Sequence, residues 1–198
     1  LFVMSSAIGI LGGSFDPVHL GHMRLAEAAH SECGLDKLLF VPAYQAPLKP
    51  SKTGACARDR LAMLEIAVKK LSFSAEIETF EICRNSISYS IDTARYLAGK
   101  YPQSRLIWII GADHVQKLHL WKDIEELSGI VEFACAARPG YAIDRTLLPA
   151  GARVGVINFD PVEISSSQIR EALSCGKNLN SMLDADVISY IKSHNLYK

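Results

Sequence analysis

Residues 7–22 of the chain read Ala7-Ile8-Gly9-Ile10-Leu11-Gly12-Gly13-Ser14-Phe15-Asp16-Pro17-Val18-His19-Leu20-Gly21-His22. The first five residues are mostly apolar and predict a buried strand, whereas residues 20–29 are good helix formers with apolar positions at helical spacing. The stretch therefore predicts a strand, a glycine-rich turn and a helix. In an open α/β sheet such a turn lies at the carboxyl end of a strand, where ligands bind.

The chemistry of this turn favours an anionic ligand. Gly12 and Gly13 lack a Cβ, so the backbone can approach a ligand closely. The start of the following helix presents unpaired N–H groups and the positive end of the helix dipole. His19 and His22 are three residues apart, so in helical geometry both imidazoles would point the same way. Together these features indicate a phosphate site.

Other interpretations of the turn fit the residues less well. The two histidines could ligate a metal, but no Cys, Asp or Glu stands at ligand spacing, and turn formation explains Asp16 better. No Gly-Lys-Ser/Thr follows the glycines, which excludes a P-loop. The dinucleotide fingerprint G-x-G-x-x-G is also absent, which weakens a dehydrogenase interpretation.

Length and composition restrict the class of protein. The 198 residues suit one domain, 1–198, and the 21 Lys and Arg balance the 21 Asp and Glu. This balance gives no reason to expect nucleic acid or an anionic membrane as a partner. No apolar run approaches the ~20 residues of a membrane span, and residues 1–6 lack signal-peptide features. Five widely spaced cysteines without a CxxC pair predict free thiols in a reducing cytoplasm.

Strand and helix patterns alternate along the rest of the chain. Further strands are predicted at residues 38–42, 75–82, 105–113, 130–136 and 154–159. Amphipathic helices are predicted at residues 58–71, from Ser90 to about Gly99, and at 184–197. The alternation predicts an α/β, Rossmann-like three-layer sandwich with a mainly parallel central sheet and helices on both faces.

A second anion-binding pattern stands near the end of the chain, Glu163-Ile164-Ser165-Ser166-Ser167-Gln168-Ile169-Arg170. Three hydroxyls at a predicted helix start offer capping and extra donors, and Arg170 can make charge-assisted hydrogen bonds to phosphate oxygens. We expect the two anion sites to meet at one edge of the sheet, with a nucleoside triphosphate between them. A serine-rich helix cap without a ligand is the alternative.

These motifs carry a family resemblance. Residues 12–22 resemble the signature of the HxGH nucleotidyltransferase superfamily, most closely that of bacterial nicotinate-nucleotide adenylyltransferases. Residues 164–170 resemble the family's Ile-Ser-Ser-Thr-x-Ile-Arg motif, with Ser167 in place of the usual Thr. The resemblance implies that His19, His22 and Arg170 are catalytic. It implies ATP binding by Gly12, Gly13, Ser14, Phe15, His19, His22, Gly111, Asp113, Arg138, Ile164, Ser165, Ser166, Ser167 and Arg170.

Three of these ATP-site positions lie at the end of a predicted strand or just after it. Gly111 and Asp113 resemble the family's Gly-x-Asp motif, in which glycine permits close approach and the carboxylate can accept hydrogen bonds from ribose or adenine. A helix N-cap is the alternative role for Asp113. Arg138 belongs to a match to the family's Arg-Pro-Gly turn, whose Arg lies near the adenine and phosphates.

The resemblance also implies an acceptor site, formed by Lys49, Ser90, Trp121 and Lys122. Lys49 would contact phosphate, Trp121 would stack on the nicotinate ring, and the backbone N–H of Lys122 would bind the nicotinate carboxylate. Ser90 belongs to a segment that resembles the family's Ser-Tyr-Thr motif, with Ile87 replacing Pro and Ser90 replacing Thr. The alternatives are a solvated loop lysine, a core tryptophan and a helix with Ser90 as N-cap.

The implied reaction joins ATP and nicotinate mononucleotide to form nicotinate adenine dinucleotide and pyrophosphate. The acceptor phosphate is already an anionic nucleophile, so no catalytic Ser, Cys or general base is needed. Mg²⁺ would be carried by the ATP phosphates, with no metal site on the protein. Alternatives are nicotinamide mononucleotide or phosphopantetheine as acceptor, an inactive nucleotide-binding protein and, least favoured, a dehydrogenase. The oligomeric state stays open between monomer and homodimer.

Overall fold

The computed structural model describes residues 6–47, 54–138, 140, 142–144, 146, 148–160 and 164–197. Its strands are β1 (Ala7–Gly13), β2 (Lys37–Pro42), β3 (Ala75–Ile77), β4 (Arg105–Gly111), β5 (Glu132–Ala137) and β6 (Val154–Asn158). They form one sheet in the order β3-β2-β1-β4-β5-β6, and every pairing between neighbours is parallel.

The helices of the described residues follow the strands closely. They are α1 (Leu20–Cys33), α2 (Ala57–Val68), α3 (Phe80–Arg84), α4 (Ser90–Lys100), α5 (Ala112–Val115), α6 (Ile124–Ile130), α7 (Ser166–Ser174) and α8 (Ala185–Ser193). A short 3-10 turn covers Leu118–Leu120.

An apolar cluster covers each face of the sheet. Because successive residues of a strand point to opposite faces, a strand such as β1 contributes side chains to both clusters. In β1, Leu11 joins an apolar cluster that also contains buried residues of α1, α2, α7 and α8. Ile8 and Ile10 join a second cluster, which contains buried residues of α4, α5 and α6. The predicted three-layer sandwich with a parallel central sheet is therefore confirmed.

The strand order reverses between β1 and β4. From β1 the chain moves outward to β2 and β3, then returns across the other face of the sheet to β4. Connections therefore leave these two strands in opposite directions, which opens a crevice at their carboxyl ends. Gly13 and Gly111 are the last residues of the two strands, so both glycine-containing motifs lie beside this crevice.

The structure corrects several predicted element boundaries. The third strand was predicted over residues 75–82, but β3 ends at Ile77 and α3 begins at Phe80. The Glu78 carboxylate accepts the Phe80 N–H at 3.1 Å and an ammonium hydrogen from Lys100 at 2.7 Å, which turns the chain out of the sheet. The predicted strand at 105–113 likewise gives way to α5 after Gly111. Helices α3, α5 and α6 were not predicted.

A buried arginine joins the loop after β1 to the loop after β2. Arg60 in α2 is 1% exposed, and its Nη1 donates to the carbonyl oxygens of Ser14 at 2.6 Å and Ala43 at 2.7 Å. Burial lowers the pKa of this guanidinium, and the nearby Asp16 carboxylate opposes that shift. The two hydrogen bonds of Arg60 therefore hold the glycine-rich turn in place against α2 and the loop after β2.

Substitution Arg60→Met should destabilise the protein by about 2–5 kcal/mol, because two buried carbonyl oxygens lose their donor. The control is Arg58→Met, since the Arg58 side chain is 84% exposed and its ion pair with Asp59 spans 3.5 Å. A surface pair of this kind is worth roughly 0–1 kcal/mol. Urea unfolding of both variants measures the difference, and equal losses of stability would contradict the assigned support.

Candidate active site at the carboxyl edge of the sheet

The two motif histidines stack on each other at the start of α1. His19 is the N-cap, with extended backbone (φ −144°, ψ 168°), and His22 lies in the first turn. Their ring centroids are 3.6 Å apart, and the His19 N–H donates to His22 Nδ1 at 3.2 Å. Because that nitrogen accepts, the proton of a neutral His22 ring sits on Nε2, which makes Nε2 a donor. Only His22 is helical, so helical spacing was the wrong reason to expect aligned imidazoles.

His19 is held in its neutral form by burial. It is 8% exposed, and burial lowers its pKa to about 4. Its Nδ1 is buried without a hydrogen-bond partner among the residues that the structure describes. A methyl group at Gly21 would come within 3.1 Å of this Nδ1, so the small residue between the histidines leaves room for the ring.

The packing inside the glycine-rich turn involves Phe15, Gly12 and Gly13. Phe15 is 1% exposed and left-handed (φ 47°), and its ring meets His22 edge-on at 4.9 Å between centroids. A Cβ on Gly13 would lie 3.2 Å from the Phe15 ring, so Gly13 is constrained by that ring. A Cβ on Gly12 would make only ordinary contact with Trp108 at 3.7 Å. The carbonyl oxygen of Ser14 is occupied by Arg60, as described above.

Asp16 connects distant parts of the chain through one buried carboxylate. It is 3% exposed, and its Oδ2 accepts the Gly54 N–H at 2.6 Å. Its Oδ1 accepts the Ala55 N–H at 3.0 Å and the Tyr197 hydroxyl hydrogen at 2.7 Å. Turn formation, the role predicted for Asp16, is therefore an incomplete account, since the side chain also binds segments beyond its own turn.

The second anion-binding motif docks directly on the first. Ser165 is the N-cap of α7: its Oγ accepts the Gln168 N–H at 3.2 Å, and Gln168 Oε1 accepts the Ser165 N–H at 2.8 Å. Ser166 Oγ donates to the Pro17 carbonyl oxygen at 3.1 Å. Arg170 donates to the Asp16 carbonyl oxygen at 2.7 Å. The two predicted anion sites thus lie side by side.

Arg170 also organises its own helix. Its Nη2 donates to Ser167 Oγ at 3.2 Å, so Ser167 and Arg170 act as one unit. Ile164, which precedes the cap, is half-buried against the apolar cluster that contains Leu11. The Arg170 side chain as a whole is one-third exposed.

The predicted nucleoside contacts follow β4 and β5, which neighbour β1 in the sheet. Asp113 lies in the first turn of α5, where Gly111 is the N-cap, so the alternative N-cap role for Asp113 is wrong. The Asp113 side chain is 72% exposed, and its Oδ1 lies 3.2 Å from His114 Nδ1. A Cβ on Gly111 would come within 2.7 Å of this oxygen. Arg138 is exposed directly after β5.

Three of the predicted acceptor residues, Ser90, Trp121 and Lys122, belong to elements on the other face of the sheet. Tyr89 is the N-cap of α4 and Ser90 its first residue, so the predicted N-cap at Ser90 is wrong. The Lys122 ammonium lies 4.6 Å from the centre of the Tyr89 ring. Trp121 is half-buried, with its ring edge-on to Trp108 at 6.4 Å between centroids. Lys49 lies outside the described residues.

The segment before α4 is tied to the loop after β2. The Tyr44 N–H donates to Ser88 Oγ at 3.0 Å, and the Ser88 N–H donates to the Gln45 carbonyl oxygen at 2.9 Å. The residues predicted to bind phosphate belong to α1 and α7, and the described residues predicted to bind the acceptor belong to α4 and the segment after α5. These elements pack on opposite faces of the sheet.

Comparison with known proteins places this arrangement in a family. Residues 10–172 match the cytidylyltransferase-like family model. The probable nicotinate-nucleotide adenylyltransferase of Opitutus terrae is 40% identical over 191 residues, which cover 96% of this chain and 97% of that protein. Its counterpart in Halalkalibacterium halodurans is also 40% identical, over 96% of this chain and 91% of that protein. The chain belongs to the nicotinate-nucleotide adenylyltransferase family.

Solved structures agree with the fold of this adenylyltransferase family member. The Plasmodium falciparum nicotinic acid mononucleotide adenylyltransferase complexed with NaAD superposes with a TM-score of 0.80 at 22% identity, covering 97% of both chains. A putative nicotinate-nucleotide adenylyltransferase from Vibrio parahaemolyticus superposes with a TM-score of 0.70 at 19% identity. At such identities the likeness concerns the fold.

Three residues that shape the candidate site were not identified from the sequence. Arg60 was predicted only as part of an amphipathic helix over residues 58–71, without the carbonyl oxygens it binds. The hydrogen bonds of Asp16 were not predicted, and Tyr197 was noticed only as part of a terminal helix. A charged residue at a mostly apolar helix position was a usable signal for Arg60, whereas nothing local marked Tyr197.

The part of the chain that the structure describes lacks a membrane-spanning helix and a metal centre built from three or more side chains. None of its helices has the length and apolar character needed to cross a membrane. Within the same residues, no group of three or more His, Cys, Asp and Glu side chains could hold a metal ion.

The buried, neutral His19 should make stability depend on pH. Its folded-state pKa of about 4 lies below the ordinary 6.5, so only the unfolded chain takes up its proton between these values. Stability is therefore complete above pH 6.5 and decreases as the pH falls towards 4, by an amount on the order of 3 kcal/mol.

Substitution His19→Gln should remove this contribution and flatten the decrease. Unfolding temperatures of both proteins, measured from pH 8 to pH 4 in phosphate-free buffer, check the expectation. The difference in unfolding temperature between the two proteins at pH 8 serves as the control, because at that pH it reports only the packing lost with the His19 ring. Parallel curves for the two proteins would contradict a buried, neutral His19.

Proposed function

We propose that this chain transfers the adenylyl group of ATP to nicotinate mononucleotide, forming nicotinate adenine dinucleotide and pyrophosphate. Membership of the nicotinate-nucleotide adenylyltransferase family supports this activity. The observation that carries the proposal is the junction of the two anion-binding motifs, where Ser166 binds Pro17 and Arg170 binds Asp16. That junction puts imidazoles, a guanidinium and two helix starts around one crevice.

ATP phosphates are the ligands proposed for this crevice. His22 Nε2 and the N–H groups at the start of α1 would face the α-phosphate, with His19 beside them. Arg170 and residues 165–167 would hold the β- and γ-phosphates, and Lys49 would reach across from its loop. Arg170 is held to Asp16 and Ser167 before ATP arrives, so its guanidinium is already oriented.

The nucleoside and the acceptor would occupy the remaining parts of the sheet edge. Exposed Asp113 and Arg138 follow β4 and β5, where they can contact the ribose, adenine and phosphates. On the other face, Trp121 would stack on the nicotinate ring, and the backbone N–H of Lys122 would bind its carboxylate. Ser90 would contact the mononucleotide from the start of α4, beside the Lys122 side chain.

The proposed reaction is a direct displacement at the α-phosphorus. An oxygen of the mononucleotide phosphate forms a bond to that phosphorus, the bond to the β-phosphate's bridging oxygen breaks, and pyrophosphate leaves. The nucleophile is an anion, so no proton has to be removed from it. The protein's contribution is to align two polyanions and stabilise charge in the transition state with donors such as His22 and Arg170.

Magnesium enters this proposal as part of the substrate. Carboxylate and imidazole groups of the described residues form no cluster that could hold a cation. Mg²⁺ prefers phosphate oxygens and water over an all-protein cage, so ATP would bring it as the MgATP complex.

Domain organisation and location complete the proposal. A single nucleotidyltransferase domain over residues 1–198 is supported by one continuous sheet with an apolar cluster on each face. Cytoplasmic location is supported by five free cysteines, because a reducing compartment keeps thiols unpaired. Neither a monomer nor a homodimer is favoured by these features.

A pyrophosphate-release assay with ATP and three acceptors tests the function. We expect the highest kcat/KM with nicotinate mononucleotide and lower values with nicotinamide mononucleotide and phosphopantetheine. A higher value with either alternative would reassign the acceptor. ATP binding without pyrophosphate release from any acceptor would instead indicate an inactive nucleotide-binding protein.

Substitution His22→Ala should lower kcat by about 10²–10³, by analogy with loss of one donor that stabilises transition-state charge. The matched control is His30→Ala, because His30 lies at the other end of α1 and stacks on Phe73. Steady-state kinetics and circular dichroism of both variants make the comparison. Wild-type turnover in a folded His22→Ala protein would refute the role.

A further inference from the structure

We propose that Tyr197 is a positioning residue for the ATP site: through its hydrogen bond to the Asp16 carboxylate it fixes Arg170 and the glycine-rich turn relative to each other. Tyr197 follows α8 and belongs to neither anion-binding motif. This inference rests on the proposed function, because it assigns Arg170 and the turn to ATP.

The first observation is the geometry of the Asp16 carboxylate. Among the described residues Tyr197 is one of three hydrogen-bond donors to it, at 2.7 Å, and the others are the backbone N–H groups of Gly54 and Ala55. The two backbone N–H groups are fixed in position, but each of them occupies only one lone-pair direction of its carboxylate oxygen. The Tyr197 hydroxyl supplies the remaining direct donor and so restricts rotation of the carboxylate. A buried carboxylate that loses a donor moves to recover it, because unsatisfied buried oxygens are costly.

The second observation connects this carboxylate to the ATP side. Arg170 Nη1 lies 3.7 Å from Asp16 Oδ2 and donates to the Asp16 carbonyl oxygen at 2.7 Å. The Asp16 carboxylate and the Asp16 carbonyl oxygen both orient the Arg170 guanidinium. Movement of Asp16 therefore changes the position of both groups relative to Arg170. The same residue stands three positions before His19, in the turn that leads into α1.

The third observation is the packing around the Tyr197 ring. A Cβ on Gly54 would lie 3.1 Å from the Tyr197 ring and 3.2 Å from Arg170 Cδ. The aromatic ring of Tyr197 and the aliphatic part of Arg170 thus both lie against Gly54. Tyr197 is therefore close to Arg170 as well as connected to it through Asp16.

The backbone indicates that tertiary contacts hold Tyr197 in place. Its φ is 61° and that of Asn195 is 53°, both in the left-handed region that bulky side chains rarely adopt. Such conformations persist where the surrounding structure overrides the local preference, and they concentrate at functional sites. Burial, followed by the Asp16 contact, raises the pKa of Tyr197, so the hydroxyl keeps its proton and donates.

The chain contains a matched control for this hydrogen bond. Tyr190 in α8 donates its hydroxyl to Asp59 Oδ1 at 3.0 Å. This is the same pair of residue types, formed between α8 and α2, but the polar partners of Asp59 among the described residues are Cys56, Arg58 and Tyr190, none of which belongs to the glycine-rich turn or to α7. Tyr190→Phe thus removes an equivalent interaction away from the proposed ATP side.

The test compares Tyr197→Phe with Tyr190→Phe in steady-state kinetics and thermal unfolding. We expect Tyr197→Phe to lower kcat/KM for ATP by about ten-fold or more, the usual effect of losing a hydrogen bond to a charged group. KM for ATP should rise more than KM for the acceptor, because Arg170 faces the triphosphate. Tyr190→Phe should lower the unfolding temperature to a similar extent but leave kcat/KM near wild type. Equal kinetics in the two variants would overturn the inference.

Two further arms keep the result decisive. If wild-type protein releases no pyrophosphate, the proposed function fails, and calorimetric titration with a non-hydrolysable ATP analogue then tests the positioning role alone. Weaker binding by Tyr197→Phe than by Tyr190→Phe would support it, and equal binding would refute it. If Tyr197→Phe does not fold, Gly54→Ala replaces it, because the added methyl would lie 3.1 Å from the Tyr197 ring and 3.2 Å from Arg170 Cδ, so that these neighbours must shift slightly to accommodate it. Unchanged kcat/KM in a folded Gly54→Ala protein would refute the role.

Discussion

One buried carboxylate holds the candidate active site together. Asp16 lies in the turn between β1 and α1, and its side chain accepts hydrogen bonds from Gly54, Ala55 and Tyr197. Its backbone carbonyl accepts from Arg170. Because a carboxylate removed from water must be matched by donors, Gly54, Ala55 and Tyr197 are constrained to surround the Asp16 side chain, while Arg170 binds the Asp16 backbone. Four parts of the chain therefore share one anchoring point: the turn, the residues just before α2, α7 and the segment after α8.

The sheet gives this anchor its functional position. Parallel strands bring their carboxyl ends to one edge, and the reversal of strand order beside β1 opens that edge into a crevice. Helices α1 and α7 approach from one face, whereas α4 begins on the other. A reaction between two anionic nucleotides suits such a site, since each substrate can be held by its own layer while their reacting groups meet at the edge.

The sequence was sufficient to predict the broad architecture and most motif positions. Apolar runs such as that of β4 predicted buried parallel strands, and Ser165 was correctly expected at a helix start. Boundaries failed where a side chain decided them: Glu78 ends β3 by binding the Phe80 N–H, although the alternating pattern continues beyond it. His19 was expected in helical geometry but is an extended N-cap, because the helix begins one residue later.

By itself the sequence determined the α/β class, the family and the strand–turn–helix that carries the histidines. Those features depend on local periodicity and on motifs of adjacent residues, which a linear pattern records. Only the tertiary structure decided that Tyr197 and Arg170 meet at Asp16, and that Arg60 supports Ser14 from below. Hydrogen bonds between residues far apart in sequence leave no local pattern, so their partners become visible only when the folded chain removes them from water together.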